Sequence, residues 1–239
     1  MQQKIALVTG SAQGIGLGVA RALAARGHAV HVVHRSGPSP AELLAEFGPR
    51  RVHRADLVEP SAAEALVAAV LAVDGRLDTV VHAVGPYTTA PLSESSVALF
   101  RELYDGNVVT ALNLIHAGRA AVRATRGAWL FFGCAGIERW RARKVTTAYI
   151  SAKSALLVTM RGMALEEAPC GVRVNMLSPG FVPHGAAAPD TLDRSLWSEI
   201  PLGRAAEMRE AADAAAWLVS DEASHVVGQN LEVAGGWML

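Results

Sequence analysis

Short apolar segments rich in β-branched residues alternate with longer segments of helical periodicity along most of the chain. A short, continuous apolar run is typical of a buried strand, whereas apolar positions three and four residues apart indicate one face of a helix. The predicted strands cover 4–8, 29–33, 51–55, 79–84, 128–132, 172–177 and 230–233. One predicted helix begins at 15 and stops at Gly27, and another ends near Gly75. The other predicted helices cover 41–47, 108–123, 147–167 and 207–219.

This alternation predicts an α/β fold. Strands separated by helices pair in parallel through right-handed crossovers. Nearly continuous apolar strands are typical of a sheet that is covered on both faces. We therefore expect a doubly wound, Rossmann-like parallel sheet of about seven strands with helices on both faces, in a single domain over 1–239.

A glycine-rich turn follows the first predicted strand and runs into a helix. Its glycines permit a tight turn and a close approach of the backbone to a pyrophosphate, and the start of the helix favours an anion. The spacing is Gly-x3-Gly-x-Gly rather than Gly-x-Gly-x-x-Gly, and a purely structural glycine turn is the alternative. The residues expected to contact a dinucleotide here are Gly10, Ser11, Gln13, Gly14, Ile15 and Gly16.

The end of the second predicted strand favours NADP(H) over NAD(H). An acidic residue at this point binds the 2′-hydroxyl of NAD, whereas an arginine accommodates a 2′-phosphate. The chain has His34, Arg35 and Ser36 there, and Arg35 offers charge-assisted bonds to phosphate. A solvated surface arginine is the alternative. After the third strand, Asp56 and Leu57 are placed for the adenine edge, with a helix-capping aspartate as the alternative.

Tyr149 and Lys153 are four residues apart in the helix predicted at 147–167, so both side chains lie on one face. The pKa of a free tyrosine is about 10, and a nearby cation lowers it by stabilising the phenolate. A tyrosine tuned in this way can exchange a proton with an alkoxide. By itself the spacing is common, and a surface pair is the alternative.

The ordered set of these motifs resembles the short-chain dehydrogenase/reductase family over essentially the whole chain. The set comprises the glycine turn, Asp56, Asn107 at a predicted helix start, Tyr149 with Lys153, Ser178-Pro179-Gly180 after the sixth strand, and the closing segments 228–229 and 233–236.

The resemblance implies roles for these residues. Tyr149 would be the acid/base, Lys153 would bond the nicotinamide ribose and tune Tyr149, and Asn107 would hold a water in a proton relay. Hydride transfer itself would belong to the cofactor. The resemblance also implies dimers or tetramers that associate through the long helices after Asn107 and Tyr149. Further cofactor contacts are expected from Ala83, Gly85, Pro179, Gly180 and Val182.

The chain departs from the family pattern at three points. Cys134 stands where the family has a serine that bonds the substrate carbonyl, and the interval to Tyr149 is about two residues longer. A thiol is a weak donor, so Cys134 is either a catalytic substitute or a small buried filler. The segment from His82 to Gly85 keeps only the last residue of the family's Asn-Asn-Ala-Gly. We expect His82 to be a structural, hydrogen-bonded residue and not a catalytic base. His184 replaces a cofactor-contacting threonine and is either functional or a packing residue.

These departures leave two functions open. The first is an NADP(H)-dependent reductase or dehydrogenase of a small carbonyl or alcohol substrate, with features similar to both pteridine reductases and acyl-carrier-protein ketoreductases. The second is a non-catalytic NADP(H)-binding regulatory protein of the same fold. The basic loop at 138–144 is either a binding surface for an acidic substrate or carrier protein, or a solvated face.

Composition narrows the classes further. The formal net charge is zero, which argues against nucleic-acid and anionic-membrane proteins. Two cysteines make neither a zinc-ligand set nor a disulfide framework, so we expect no metal and a reducing compartment. The chain has no apolar run long enough for a bilayer and enters a strand at once, without room for a signal peptide, so a cytoplasmic location is expected.

Overall fold

The strands are short apolar segments whose residues are mostly buried. They are β1 (Ile5–Thr9), β2 (Ala29–His34), β3 (Val52–Arg54), β4 (Thr79–His82), β5 (Ala128–Phe132), β6 (Arg173–Pro179) and β7 (Asn230–Val233). In the computed structural model, which describes residues 2–139, 143–183 and 194–239, all of them pair in parallel in the order β3-β2-β1-β4-β5-β6-β7. The predicted doubly wound sheet is confirmed.

Helices cover both faces of this sheet, which is why its strands are apolar throughout. They are α1 (Gly14–Ala25), α2 (Ala41–Phe47), α3 (Pro60–Asp74), α4 (Val97–Tyr104), α5 (Thr110–Thr125), α6 (Thr147–Glu167) and α7 (Met208–Leu218). One core joins α1, α2 and α7 to the sheet, and a second core joins α3, α5 and α6 to its other face. Among the described residues, no helix is long and apolar enough to cross a membrane.

The strand order places a crevice at the carboxyl ends of β1 and β4. β1 lies between β2 and β4, and Thr9 at its end is in register with His82. The chain leaves β1 and β4 toward opposite faces of the sheet, and open α/β sheets bind ligands at such a point. The glycine turn after β1 and the segment after β4 therefore face each other.

The main difference from the sequence prediction lies at residues 97–109. We predicted a helix from 108, with Asn107 at its start; in the structure the helix begins at Val97 as α4. A π-helical turn, Asp105–Val109, then joins α4 to α5, so the predicted helix start is wrong. Ser96 is the N-cap, and its side chain accepts a hydrogen bond from the Leu99 N–H at 3.1 Å. Only Leu103 of α4 is fully buried. The apolar residues of this short helix do recur at helical spacing, but the sequence prediction overlooked it.

Elsewhere the predicted bounds agree closely with the structure. The helices at 41–47 and 147–167 and the strands at 128–132 and 230–233 have the predicted ends. The ends of the other strands and of α7 differ by one or two residues, where helices and strands fray.

A buried polar cluster joins β2, β3 and the end of α3. His31 Nδ1 lies 2.8 Å from His53 Nε2, and His31 Nε2 lies 2.7 Å from Asp74 Oδ2. Arg51 adds two bonds to the Asp74 carboxylate, of 2.8 and 3.0 Å. The Arg51 guanidinium, with help from His31, holds the pKa of Asp74 at about 2. Burial, reinforced by His31, lowers the pKa of His53 to about 4. The fold therefore favours the neutral form of His53.

This cluster makes the stability of the fold depend on pH. Histidine in an unfolded chain has a pKa of about 6.5, so the unfolded state binds a proton more readily than the folded state, in which the pKa of His53 is about 4. The contribution is complete above about pH 6.5 and is lost as the pH falls toward 4. We expect the free energy of unfolding in urea to fall between about pH 7 and about pH 4.5, and to fall less in His53→Gln.

This range lies above the window in which the Asp74 carboxylate titrates. His116→Gln is the matched control, because His116 is exposed on α5. It should keep the pH dependence of the wild type, and the same dependence in His53→Gln would contradict the assignment.

Candidate active site

The turn between β1 and α1 is built from glycines that pack directly on backbone. Gly10 and Gly14 have φ angles of 69° and 62°, a region that favours glycine. A Cβ atom on Gly10 would lie 2.6 Å from the carbonyl oxygen of Ala83, and one on Gly16 would overlap the carbonyl oxygen of Gly10. The turn has no room for side chains at these positions, so its backbone forms the wall of the crevice.

The first turn of α1 has no side-chain cap. Gln13 occupies the N-cap position in an extended conformation and makes no capping hydrogen bond. The first N–H groups of a helix have no acceptor within the helix, and together with the helix dipole they favour an anion. Gln13 is exposed, and Gly14 and Ile15 are partly exposed. This terminus therefore fits a phosphate group.

Ser11 holds the turn in place instead of presenting its hydroxyl. The side chain is fully buried; its oxygen donates to the Val8 carbonyl at 2.6 Å and accepts from the Val33 N–H at 2.8 Å. These two bonds tie the turn after β1 to β2. Any contact of Ser11 with a dinucleotide would have to come from its backbone.

Arg35 is the exposed cation at the end of β2. His34, which we predicted as a cofactor contact, is almost fully buried. Its Nδ1 lies 3.2 Å from the Ser36 carbonyl oxygen, and its Nε2 lies 3.0 Å from Ser39 Oγ, so both ring nitrogens are used inside the turn. Arg35 and Ser36 are exposed, and Arg35 forms no ion pair within the described residues. Arg35 and Ser36 are thus the groups of this segment that can reach a ligand.

Asp56 is exposed after β3 and shapes its own loop. Its Oδ1 accepts from the Val58 N–H at 3.3 Å, whereas the N-cap of α3 is Glu59. The alternative that Asp56 caps the helix is therefore wrong. Leu57 is buried in the core, and its carbonyl accepts from Asn113 Nδ2 at 3.0 Å, so its side chain is directed away from the crevice.

Asn107 and Lys153 meet at Gly85, beside the glycine turn. A Cβ atom on Gly85 would lie 2.8 Å from Lys153 Nζ and even closer to Asn107 Oδ1. Asn107 is fully buried and its Nδ2 donates to the Leu103 and Pro86 carbonyls, at 2.9 and 3.1 Å. Its Oδ1 accepts no hydrogen bond from the described residues, although buried polar atoms are usually paired. The side-chain oxygen of Asn107, Oδ1, is therefore available to accept a hydrogen bond from a ligand in the site.

Lys153 is buried and bound to backbone. Its Nζ donates to the Phe132 carbonyl at 2.7 Å and lies 5.7 Å from the centroid of the Tyr149 ring. Burial lowers the pKa of Lys153 to about 8. Burial also raises the pKa of Tyr149 well above its usual range, and the cation that opposes this rise is Arg143. Arg143 therefore takes part of the electrostatic role that we expected of Lys153.

Cys134 and Tyr87 complete the surroundings of Tyr149. The Tyr87 ring packs edge-on against Tyr149, with a centroid distance of 4.9 Å and an interplanar angle of 86°. Cys134 follows β5, and burial raises the pKa of its thiol against the nearby charges of Arg143 and Lys153. Cys134 thus lies close to Tyr149 and Lys153 in its protonated form, which is a weak hydrogen-bond donor.

His82 is a structural residue that holds the floor of the site. It is fully buried, with Nδ1 2.9 Å from Thr9 Oγ1 and Nε2 3.1 Å from Thr110 Oγ1. The Thr110 hydroxyl donates to the Gly106 carbonyl, so it accepts from His82 Nε2. Burial, aided by Lys153, lowers the pKa of His82 to about 3. The neutral ring links β1 and β4 to the π-helical turn that carries Asn107.

The segment after β6 forms the opposite wall. A Cβ atom on Gly180 would lie 2.9 Å from Cα of Ala234, so the two segments pack backbone to backbone. The rings of Phe181 and Trp237 contact each other with centroids 4.4 Å apart and an interplanar angle of 44°, and Val182 is buried. His184 lies outside the described residues.

Sequence reasoning missed two members of the site, Tyr87 and Arg143. Tyr87 directly follows Gly85-Pro86, and Arg143 belongs to the basic loop at 138–144. The sequence therefore indicated the segments that contain them, but not these two residues individually. In the described part of the chain, no group of three or more metal-ligating side chains could hold a metal ion.

Comparisons with known proteins agree with this geometry. The family model described as enoyl-(acyl carrier protein) reductase matches residues 10–238. The cis-4-hydroxycyclohexanecarboxylate dehydrogenase of Sinomonas cyclohexanicum is 32% identical, over 98% of this chain and 96% of that protein. The 3-oxoacyl-(acyl-carrier-protein) reductase of Escherichia coli K12 is 27% identical, over 98% of this chain and 96% of that protein.

A similar solved structure is that of a blue fluorescent protein from a metagenomic library, in complex with NADPH. Its TM-score is 0.88 at 27% identity, over 99% of this chain and 98% of that chain. The model match spans nearly all of the sequence, and the ordered glycine turn, Asn107, Tyr149 and Lys153 occupy one crevice. The chain belongs to the short-chain dehydrogenase/reductase family of oxidoreductases.

Proposed function

We propose that this protein is an NADP(H)-dependent oxidoreductase that interconverts a carbonyl group and an alcohol. The observation that carries the proposal is the convergence of Tyr149, Lys153 and Asn107 next to the uncapped glycine turn. The names of the relatives support this reaction class, because they are a dehydrogenase of a hydroxy acid and a reductase of a 3-oxoacyl group. A ketoacyl-type or a pteridine-type reductase is compatible with the site.

The residues present fit a nicotinamide dinucleotide. The backbone of Gly10, Gly14 and Gly16 would hold its pyrophosphate at the uncapped start of α1, and Arg35 would hold the 2′-phosphate. Asn107 Oδ1 and Lys153 Nζ would be available beside Gly85 at the other end of the site. The chemistry that such a cofactor supplies when bound is hydride transfer.

Tyr149 would be the general acid or base of this reaction. The raised pKa keeps its phenol protonated near neutrality, so its hydroxyl can donate a proton to the oxygen of a carbonyl undergoing reduction. In the reverse direction Tyr149 would first have to lose its proton, and its phenolate oxygen would then accept the proton of an alcohol. Lys153, held by the Phe132 carbonyl, would orient the site and contribute positive charge below its pKa of about 8.

Removing the phenol oxygen tests this role. In Tyr149→Phe we expect kcat for NADPH-dependent carbonyl reduction to fall by roughly 10²-fold or more, because a positioned general acid contributes about 10²–10⁴-fold. The assay follows NADPH absorbance against a panel of 3-oxoacyl thioesters, cyclic ketones and pteridines. NADPH binding, measured by calorimetry, should change little.

Tyr104→Phe is the matched control, since Tyr104 is an exposed tyrosine on α4. It should keep wild-type turnover, and equal turnover by Tyr149→Phe would remove Tyr149 from the mechanism. Tight NADPH binding by a wild type that reduces no member of the panel would favour the regulatory, non-catalytic alternative.

The cofactor preference is testable at Arg35. In Arg35→Leu we expect the Kd for NADPH to rise by about 10- to 100-fold, because a charge-assisted bond is worth about 1.5–3 kcal/mol. The Kd for NADH should stay within about threefold, since NADH lacks the 2′-phosphate. Arg26→Leu, at the far end of α1, is the control and should alter neither Kd. An unchanged NADPH affinity in Arg35→Leu would contradict the assignment.

We also propose that the chain associates through α6. Val158 and Leu165 are 66% and 80% exposed, and they lie seven residues apart on one face of this helix. Large apolar side chains clustered on an exposed face mark contact surfaces. The surface suits self-association of the kind that the family resemblance implies.

Light scattering tests this surface. The wild type should have the mass of a dimer or tetramer, and Leu165→Lys should shift it toward the monomer because a buried, unpaired charge is costly. Leu92→Lys, a matched change at a leucine that is 59% exposed away from α6, should leave the mass unchanged. A monomeric wild type would overturn the proposal.

A further inference from the structure

Arg143 is a cation fixed at the mouth of the site. Its guanidinium lies over the Trp237 ring, with Cζ 5.5 Å from the ring centroid. One Nη2 hydrogen bond goes to the Ala135 carbonyl, in the segment that carries Cys134. The Thr147 hydroxyl donates to the backbone carbonyl of Arg143 at 3.2 Å, at the start of the helix that bears Tyr149. The side chain is therefore held between the two segments that frame the catalytic phenol.

No carboxylate of the described residues pairs with this guanidinium. Glu232 is the nearby acid whose charge acts on Cys134, but its two oxygens accept from the Gly136 N–H and from Arg139 Nη1, both at 2.9 Å. Glu199 accepts from the indole N–H of Trp237 at 3.5 Å. The neighbouring acids thus have other partners, and Arg143 keeps donors for a ligand.

The charge of Arg143 acts on the same space in which Tyr149 would work. It opposes the effect of burial, which raises the pKa values of Tyr87, Cys134 and Tyr149, three groups that border the crevice from different segments. Lys153, the other cation of the site, has its ammonium bonded to the Phe132 carbonyl. Lys153 is buried whereas Arg143 is partly exposed, so Arg143 is the cation of this pair that is accessible from solvent.

The remaining walls around this cation are aromatic. Tyr87 packs edge-on against Tyr149, and the rings of Phe181 and Trp237 are in contact at a tilt of 44°. Such walls suit an apolar body that ends in a single charge. A phosphate, which carries about two negative charges, is usually held by more donors than one guanidinium.

We infer that the substrate is a carbonyl compound, or the matching alcohol, that carries a carboxylate, and that Arg143 binds this carboxylate. This inference rests on the proposed oxidoreductase function and names its substrate class. The guanidinium offers two parallel N–H donors that match a carboxylate. Arg143 is then the residue that selects oxo acids over neutral ketones.

Matched acid and ester substrates test the inference. The probes are oxo acids with different spacings between ketone and carboxylate, such as 4-oxocyclohexanecarboxylate, each with its methyl ester, and each is assayed with NADPH. The wild type should have a kcat/KM for at least one acid that is tenfold or more above that of its ester. In Arg143→Met this ratio should collapse toward one, chiefly through a higher KM for the acid, and Arg143→Lys should restore part of it.

Lys144→Met is the control, because Lys144 is an adjacent, exposed cation. It should keep the wild-type ratio. A damaged fold or a raised pKa of Tyr149 would lower acid and ester turnover together, so the ratio isolates recognition of the carboxylate. Equal use of acids and esters by the wild type, or an unchanged ratio in Arg143→Met, would overturn the inference.

Failure of the proposed function has a different signature. In that case wild-type protein would reduce neither acids, esters nor simple ketones. Calorimetry with unreactive cyclohexanecarboxylate and NADPH then tests the binding site on its own. Binding to the wild type and Lys144→Met, but not to Arg143→Met, supports the assigned site; equal binding to all three contradicts it.

Discussion

The parallel pairing of β1 with β4 is the contact on which the site depends. It brings the glycine turn after Thr9 against the segment after His82, so closely that Gly10 has no space for a side chain beside Ala83. The neutral His82 ring bonds Thr9 on one side and Thr110 on the other. One buried hydrogen-bonded chain thus fixes the turn suited to a pyrophosphate relative to the helix that carries Asn107. A buried network of this kind is rigid when every member is paired.

The parts of this arrangement that local spacing encodes could be predicted from the sequence. The strands appear as apolar runs, the turn as three glycines, and the helix at 147–167 as a long segment without glycine or proline breaks at its start, with Tyr149 and Lys153 one turn apart. The helix at 97–104 was not predicted, although its apolar residues recur at helical spacing, because it has only eight residues, buries one side chain fully and continues directly into the π-helical turn. The π-helical turn at Asn107 has no sequence signature either, since its geometry is imposed by the Pro86 carbonyl, Leu103 and Thr110.

Residue roles were harder to predict than residue positions, because roles depend on which way a side chain turns. Ser11 and His34 lie where sequence reasoning put cofactor contacts, yet both use their polar atoms to hold the backbone of their own turns. Polar side chains next to a ligand-binding turn can hydrogen-bond to the backbone of the turn instead of to the ligand, and the sequence does not distinguish the two cases. Arg143 shows the converse, since it belongs to a loop that could be either a solvated face or a binding surface, yet its side chain packs on Trp237 and its charge acts on the Tyr149 phenol.

The two cations of the site differ in a way that matters for the chemistry. Lys153 is fully surrounded by protein, and its ammonium loses its proton as the pH rises through about 8. An arginine side chain stays protonated in proteins. When Lys153, beside Asn107, loses its positive charge, the positive charge of Arg143 at the entrance of the site therefore remains. Because burial keeps the Tyr149 phenol protonated, the protein holds a proton donor beside a permanent cation near neutral pH. In the reaction proposed above, that combination would suit the reduction of a carbonyl compound that carries its own negative charge.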